Sequence, residues 1–245
     1  MSAPTPSVNP QLWEQQSRWW VDEFTEGADP EYEQQIIPLC VNELRGFIDV
    51  LDLGTGEGQI ARALVRDGAA VVGLEPTAAQ LAVARERAGG PSYVRGVAEQ
   101  LPLADASFDA VLACLVFEHL PDHRGPIREV ARVLRPGGIF VFLLNHPVMQ
   151  TPGSGWVIDH VLDEQYWRVG PYLETSVVEE ELAPGVILPF VHRPLSDYVD
   201  GLADAGFVVE RLREPAPPQT FLDRAPEYAE TGHIPRLLAI RARKE

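Results

Sequence analysis

The spacing of apolar residues changes character near residue 46. Across residues 11–45 the chain is polar and acidic, with apolar side chains at Leu12, Trp13, Trp19, Trp20, Phe24, Ile36, Ile37, Leu39 and Leu44. That spacing predicts two or three helices, with Pro30 opening or breaking one. The run FIDVLDLG that follows is almost continuously apolar and ends in glycine, as expected of a parallel strand covered on both faces. Apolar residues at Ile60, Ala61, Leu64 and Val65 predict a helix over 59–66 that Gly68 can cap. A second strand is expected at 69–74, then a helix over 77–87 with Thr77 at its start and Gly89-Gly90 at its end. Strands at 92–95 and 108–115, a helix over 126–134 closed by Arg135-Pro-Gly-Gly, and a strand at 139–144 continue the alternation.

Strand and helix alternating at this interval predict an α/β fold, a doubly wound, Rossmann-like parallel sheet. The pattern lapses over 146–194, a stretch rich in Gly, Pro and aromatics, and resumes with a helix over 195–205 and strands at 207–212 and 237–241. A segment that long inside a compact domain is functional or carries structure of its own, so it is expected to cover a substrate. The organisation read from the sequence is one domain over 1–245. It comprises an N-terminal helical cap (1–45), a core (46–145 and 195–245) and an inserted lid (146–194). The first ten residues, rich in Pro, Ser and Asn, read as a loose arm.

Composition narrows the partners. Twenty basic residues face 36 acidic ones, a formal charge of −16, and no basic stripe is visible. Phosphate backbones are bound by Lys and Arg that displace counterions, so nucleic acid is not an expected partner; otherwise such a charge simply keeps a protein soluble. The longest apolar runs are strand-sized, short of a membrane span, and the N-terminus lacks a signal-like apolar centre, so a cytoplasmic location is expected. Two cysteines, Cys40 and Cys114, form neither a disulfide framework nor a metal cluster, and no metal-ligand spacing occurs.

The chemistry concentrates in Val50-Leu-Asp-Leu-Gly-Thr-Gly-Glu-Gly58. Gly54, Gly56 and Gly58 fall between the first strand and its helix, where a missing Cβ lets a ligand approach the backbone. A dinucleotide fingerprint would put its third glycine at residue 59; that position holds Gln59, which disfavours a nicotinamide cofactor. Glu75 follows about twenty residues later at a strand's carboxyl end, where a carboxylate can take ribose hydroxyls or serve only as a helix N-terminal charge.

VLDLGTGEG, GLEPT, GVAEQLPLADASFDAV, FEHL and REVARVLRPGG, in this order, resemble the motif series of the class I S-adenosylmethionine (SAM) dependent methyltransferases. More narrowly they are similar to a small-molecule branch that includes the ubiquinone/menaquinone-type enzymes. The resemblance implies a seven-stranded sheet with its last strand antiparallel and SAM as cofactor over the carboxyl ends of the first strands. It implies that Asp52 and the turn at Gly54, Thr55 and Gly56 hold the methionine moiety, and that Glu75, beside Pro76, takes the ribose. Where the family often has an aspartate for the adenine amino group this chain has Val97, which leaves Ala98, Glu99 or apolar packing for adenine. Cys114 would lie beside the sulfonium, or be a plain buried strand residue.

Methyl transfer needs alignment and exclusion of water more than acid–base chemistry. Where a base is required, His119 in FEHL is the candidate catalytic residue, with a merely pocket-lining role as the alternative. His146, Tyr166 and Trp167 are the candidate substrate contacts, suited to an apolar or aromatic small molecule. The expected activity is methyl transfer to an O or N atom, less readily C, of a small molecule, in specialised metabolism. The rivals are a SAM-binding protein that transfers nothing and an enzyme acting on protein or RNA.

Overall fold

The computed structural model describes residues 11–224 and 233–245, so the arm expected over residues 1–10 lies outside the described residues. In chain order the N-terminal cap comprises α1 (Gln11–Phe24), a π-helical turn (Tyr32–Ile36) and α2 (Ile37–Leu44). Pro30 opens the helical stretch that contains the latter two. The core then alternates through β1 (Asp49–Leu53), α3 (Gln59–Arg66), β2 (Ala70–Glu75), α4 (Ala78–Arg87), β3 (Ser92–Arg95), β4 (Phe108–Cys114), a 3-10 turn (Phe117–His119), α5 (Arg124–Val133) and β5 (Leu134–Asn145). The segment that breaks the alternation forms α6 (Pro147–Gln150) and two β-hairpins. The first is β6 (Gly155–Asp159) with β7 (Glu164–Arg168), the second β8 (Ser176–Ala183) with β9 (Val186–His192). The chain closes with α7 (Leu195–Asp204), β10 (Phe207–Arg213), α8 (Gln219–Arg224) and β11 (Leu237–Lys244).

Seven strands form one sheet in the order β10-β11-β5-β4-β1-β2-β3. The pairs β5–β4, β4–β1, β1–β2 and β2–β3 are parallel, while β11 runs antiparallel to both β5 and β10. The expected Rossmann-like sheet with an antiparallel last strand is therefore present. Side chains alternate across it with the period of two that a strand imposes. Leu51, Leu53, Val111, Ala113, Phe140, Phe142 and Leu144 pack on one face with Ile127 and Val130 of α5 and Leu202 of α7. Val50, Ala110, Leu112, Ile139, Val141 and Leu143 pack on the other with Ile36, Cys40 and Leu44 of the cap and Ile60 and Leu64 of α3. Both faces are dry, which is why these strands read as continuous apolar runs.

Two local expectations are corrected. Arg135-Pro-Gly-Gly does not separate helix from strand but bulges within β5: Leu134 pairs with Phe108, and pairing resumes at Ile139 with Ala110. Pro136 cannot donate to a ladder, and Gly137 takes the left-handed φ of +77° that the bulge requires. Thr77 precedes α4 without capping it, because its hydroxyl donates instead to Glu75 Oε1 at 2.8 Å. The α4 amides of Ala78 and Ala79 donate to the Glu14 carboxylate of α1, at 2.8 and 2.9 Å.

Candidate cofactor cleft

A cleft of about 350 Å³ opens at the carboxyl ends of β1, β2 and β4, beneath α1, within the range typical of small-molecule sites. The loop after β1 is tied to β2, since Gly54 N and Thr55 N both donate to Leu74 O at 2.8 and 3.0 Å. Its glycines answer to neighbouring side chains as well as to any ligand. A Cβ on Gly54, at φ +72°, would come within 2.4 Å of Val116 Cγ2, and one on Gly58, at φ +85°, within 2.2 Å of Tyr93 Oη. Neither position tolerates a side chain without displacing its neighbour.

Two carboxylates organise the floor. Asp52 is buried and accepts from Thr55 Oγ1 at 2.6 Å; burial pushes its carboxyl up to about 6 against the pull of that hydrogen bond. Glu75, also buried, accepts from Thr77 N and Thr77 Oγ1 on Oε1 and from Gly56 N at 3.1 Å on Oε2. Desolvation raises its pKa while these donors lower it. A third carboxylate, Glu57, is ion-paired with Arg62 at 2.6 Å and with Arg87; its Oε1 and the Oε1 of Gln80, both in wall residues, have no partner. With Glu99, the wall carries, among the described residues, four acidic side chains and neither Lys nor Arg.

The opposite wall comes from the segment after β4. Leu115 is held at φ +56°, an uncommon backbone state for a bulky residue that marks a constrained site, while its N–H donates to Leu143 O at 2.8 Å. His119 follows in the 3-10 turn with Nδ1 2.8 Å from the carbonyl of Pro189 in β9. A carbonyl only accepts, so Nδ1 carries the proton and Nε2 is the bare acceptor. Burial pushes the imidazole pKa down to about 4, the Pro189 carbonyl opposing. The roof is aromatic: Trp13, Trp20 and Tyr32 line the cleft, with Trp13 4.7 Å from His119 and 5.5 Å from Trp20, both near-perpendicular.

All nine residues expected around the cofactor, Asp52, Gly54, Thr55, Gly56, Glu75, Pro76, Ala98, Glu99 and Cys114, lie on this cleft wall, and His119 lies there too. The three expected substrate contacts do not. His146 is buried, accepts from Val148 N on Nδ1 at 3.1 Å as the cap of α6, and meets Glu214 through Nε2 at 3.0 Å. Tyr166 is half-exposed on β7, and Trp167 pairs edge-on with Trp156 across the hairpin at 5.4 Å. Sequence reasoning missed Tyr32 and Gln80 in the wall, Glu14, and Arg193, which binds the carbonyls of Phe117, Leu120 and Pro121. None of these has a sequence signal beyond its place in an amphipathic or irregular stretch. Among the described residues no His, Cys, Asp or Glu cluster is arranged to hold a metal, and no helix is long and apolar enough to cross a membrane.

The wall suits a cation-bearing, partly apolar cofactor: carboxylates with no basic side chain among the described lining residues, and aromatic cover. Comparison with known proteins agrees. Residues 51–142 match the family model described as a methyltransferase domain. An uncharacterized methyltransferase of Mycobacterium sp. (strain JLS) is 40% identical over 106 residues, 43% of this chain and 41% of that protein. A ubiquinone biosynthesis O-methyltransferase of Paracidovorax citrulli is 34% identical over 166 residues, 58% and 64% respectively. The chain thus spans less than two thirds of the length of either curated relative. The crystal structure of an S-adenosylmethionine dependent methyltransferase from Mesorhizobium loti superimposes with a TM-score of 0.74 at 29% identity, over 86% of this chain and 97% of that one. Residues 51–142 thus match a methyltransferase domain, and the chain is similar in sequence and in fold to S-adenosylmethionine dependent methyltransferases.

Proposed function

We propose that this protein transfers the methyl group of SAM to an oxygen or nitrogen atom of an uncharged, planar small molecule. SAM supplies a methyl carbon made electrophilic by its sulfonium. In this reading Asp52 and the loop at Gly54, Thr55 and Gly56 hold the methionine end, Glu75 and Pro76 the ribose, and Ala98 and Glu99 the adenine. Cys114 and Leu115 form the wall beside the reacting centre. The roof of Trp13, Trp20 and Tyr32 excludes water and aligns an aromatic acceptor, and alignment is the larger part of the work for an in-line displacement.

The observation that carries the reading is the fixed imidazole of His119. Its Nδ1 proton is committed to Pro189, and its depressed pKa keeps Nε2 an acceptor across the neutral range. An acceptor bearing a hydroxyl or N–H can donate to Nε2 and leave the proton there as the new bond forms. With no Lys or Arg among the described wall residues, a carboxylate or phosphate acceptor would find no counter-charge there. His146, Tyr166 and Trp167 are left without a part in acceptor binding.

Calorimetric titration with SAM and with its demethylated product tests the cofactor; absence of heat from both refutes the reading. Labelled SAM incubated with fractionated neutral metabolites then reports transfer. His119→Asn retains an N–H for the Pro189 carbonyl but removes the Nε2 acceptor. It is expected to slow transfer by up to about 10²-fold, the low end of a general base's contribution because a lowered pKa makes the imidazole a weaker base, with SAM affinity unchanged. An undiminished rate would remove His119 from the chemistry.

A further inference from the structure

We propose that Arg193 is a positioning residue that fixes residues 117–121, and His119 with them, from outside the cleft. This rests on the methyl-transfer reading for its functional meaning. Arg193 follows β9 and is 3% exposed. Its guanidinium donates from Nη1 to Phe117 O at 3.2 Å and from Nη2 to Leu120 O at 2.5 Å and Pro121 O at 2.8 Å. All three acceptors lie within one five-residue stretch that includes three wall residues, His119, Leu120 and Pro121. Arg193 itself is absent from the wall.

The planar fork of arginine suits this task, because its donors leave in fixed directions from one rigid group. The carbonyls at the end of the 3-10 turn carry partial negative charge that a cation complements. The same stretch is held at two further points. Glu118 Oε1 accepts from Asn145 N and Nδ2 at the end of β5, at 3.2 and 3.0 Å, and Pro189 O takes the His119 proton. The second inserted hairpin therefore supplies two of the three anchors, through Pro189 and the residue after its last strand. The insertion, expected to be a lid over the substrate, is on this geometry the frame that sets the direction of the imidazole.

The groups packed against His119 from α1 and β9 are Trp13, Phe190 and Pro189, none of them charged. Its tautomer thus depends on geometry rather than on a nearby ion. Arg193→Met and Arg193→Lys in the full chain, with ¹⁵N-labelled histidine, test the proposal by imidazole ¹H–¹⁵N spectra, His119 being assigned by its loss in His119→Asn. The wild type is expected to show a single Nδ1–H tautomer. Arg193→Met is expected to mix the two tautomers, with the His119 pKa rising from about 4 towards the ordinary ~6.5. Arg193→Lys should restore part of the fixed tautomer. Affinity for S-adenosylhomocysteine should stay within about threefold in both, since the glycine loop and Glu75 form the other side of the cleft.

A folded Arg193→Met that keeps the wild-type tautomer and pKa overturns the proposal, as does a loss of S-adenosylhomocysteine affinity well beyond threefold. Should the Met variant not fold, an Arg193→Lys spectrum identical to wild type overturns it. Failure of the wild type to bind S-adenosylhomocysteine would instead refute the methyl-transfer reading, leaving the hold of Arg193 on the loop to be decided by the spectra.

Discussion

Replacing Glu75 by Gln tests the cofactor reading at the point where the structure limits its size. A carboxylate offers about four lone-pair directions. Three are occupied: Thr77 N at 3.0 Å and Thr77 Oγ1 at 2.8 Å on Oε1, and Gly56 N at 3.1 Å on Oε2. About one remains, on Oε2, so a ribose diol can gain one strong bond here rather than two. A hydrogen bond to a charged group contributes roughly 1.5–3 kcal/mol, so the variant should bind S-adenosylhomocysteine about 10- to 150-fold more weakly. The amide that replaces Oε2 would point a donor at the Gly56 N–H, and loss of that one bond, about 1 kcal/mol, should lower Tm by about 2–4 °C. Acidity adds a second signature. The ionised carboxylate accepts from the sugar more strongly than the protonated acid, and burial raises its pKa. Wild-type affinity should therefore decline more steeply on acidification than that of the variant, in which Asp52, pushed up to about 6, still titrates on the cleft wall. Titration calorimetry across pH, with thermal unfolding of the free proteins, measures both effects. Affinity within threefold of wild type at neutral pH would refute the ribose assignment.

Two further outcomes follow from groups around the cleft. Glu118 is buried with Oε2 unpartnered, and desolvation pushes its carboxyl up to about 7. The folded state therefore retains a proton that the unfolded chain releases near pH 4.5. Stability falls as pH rises between those values, by at most about 1.4 kcal/mol for each pH unit crossed. Glu118→Gln should be neutral at pH 5 and stabilising at pH 8 in urea unfolding; an equal difference at both pH values would show that Glu118 does not titrate there. Glu14→Gln keeps one of the two acceptors for Ala78 N and Ala79 N and removes charge from the start of α4. It should cost about 1 kcal/mol, some 2–4 °C in Tm; an unaltered melting profile would mean that α1 is not held to α4 by this carboxylate.

The apolar runs of β1, β4 and β5 announced their burial on both faces because each strand position meets helices on one side or the other. The spacing of the glycines and Glu75 announced the cleft because both lie at strand ends whose order a doubly wound sheet fixes. Residues 146–194 were opaque for a physical reason. In Trp156-Val-Ile-Asp and Glu164-Gln-Tyr-Trp, on strands paired only with each other, few positions face a dry core, so the alternation that identifies a strand is weak. Their aromatic rings suggested a pocket, yet Trp167 meets Trp156 and Tyr166 faces solvent.

Local chemistry determined the secondary structure of the core, the position of the loop at Gly54–Gly58 and the carboxylate at the end of β2, because each depends on neighbours within a few residues. Contacts between distant segments decided the rest. His146 was drawn to Glu214 and the start of α6 and so away from the cleft. Pro189 gave the His119 ring its tautomer from 70 residues away, and Arg193 reached three carbonyls more than 70 residues upstream. A side chain's identity sets what it can donate or accept, but only the folded chain sets which partner occupies each lone pair, and with it which one is left for a ligand.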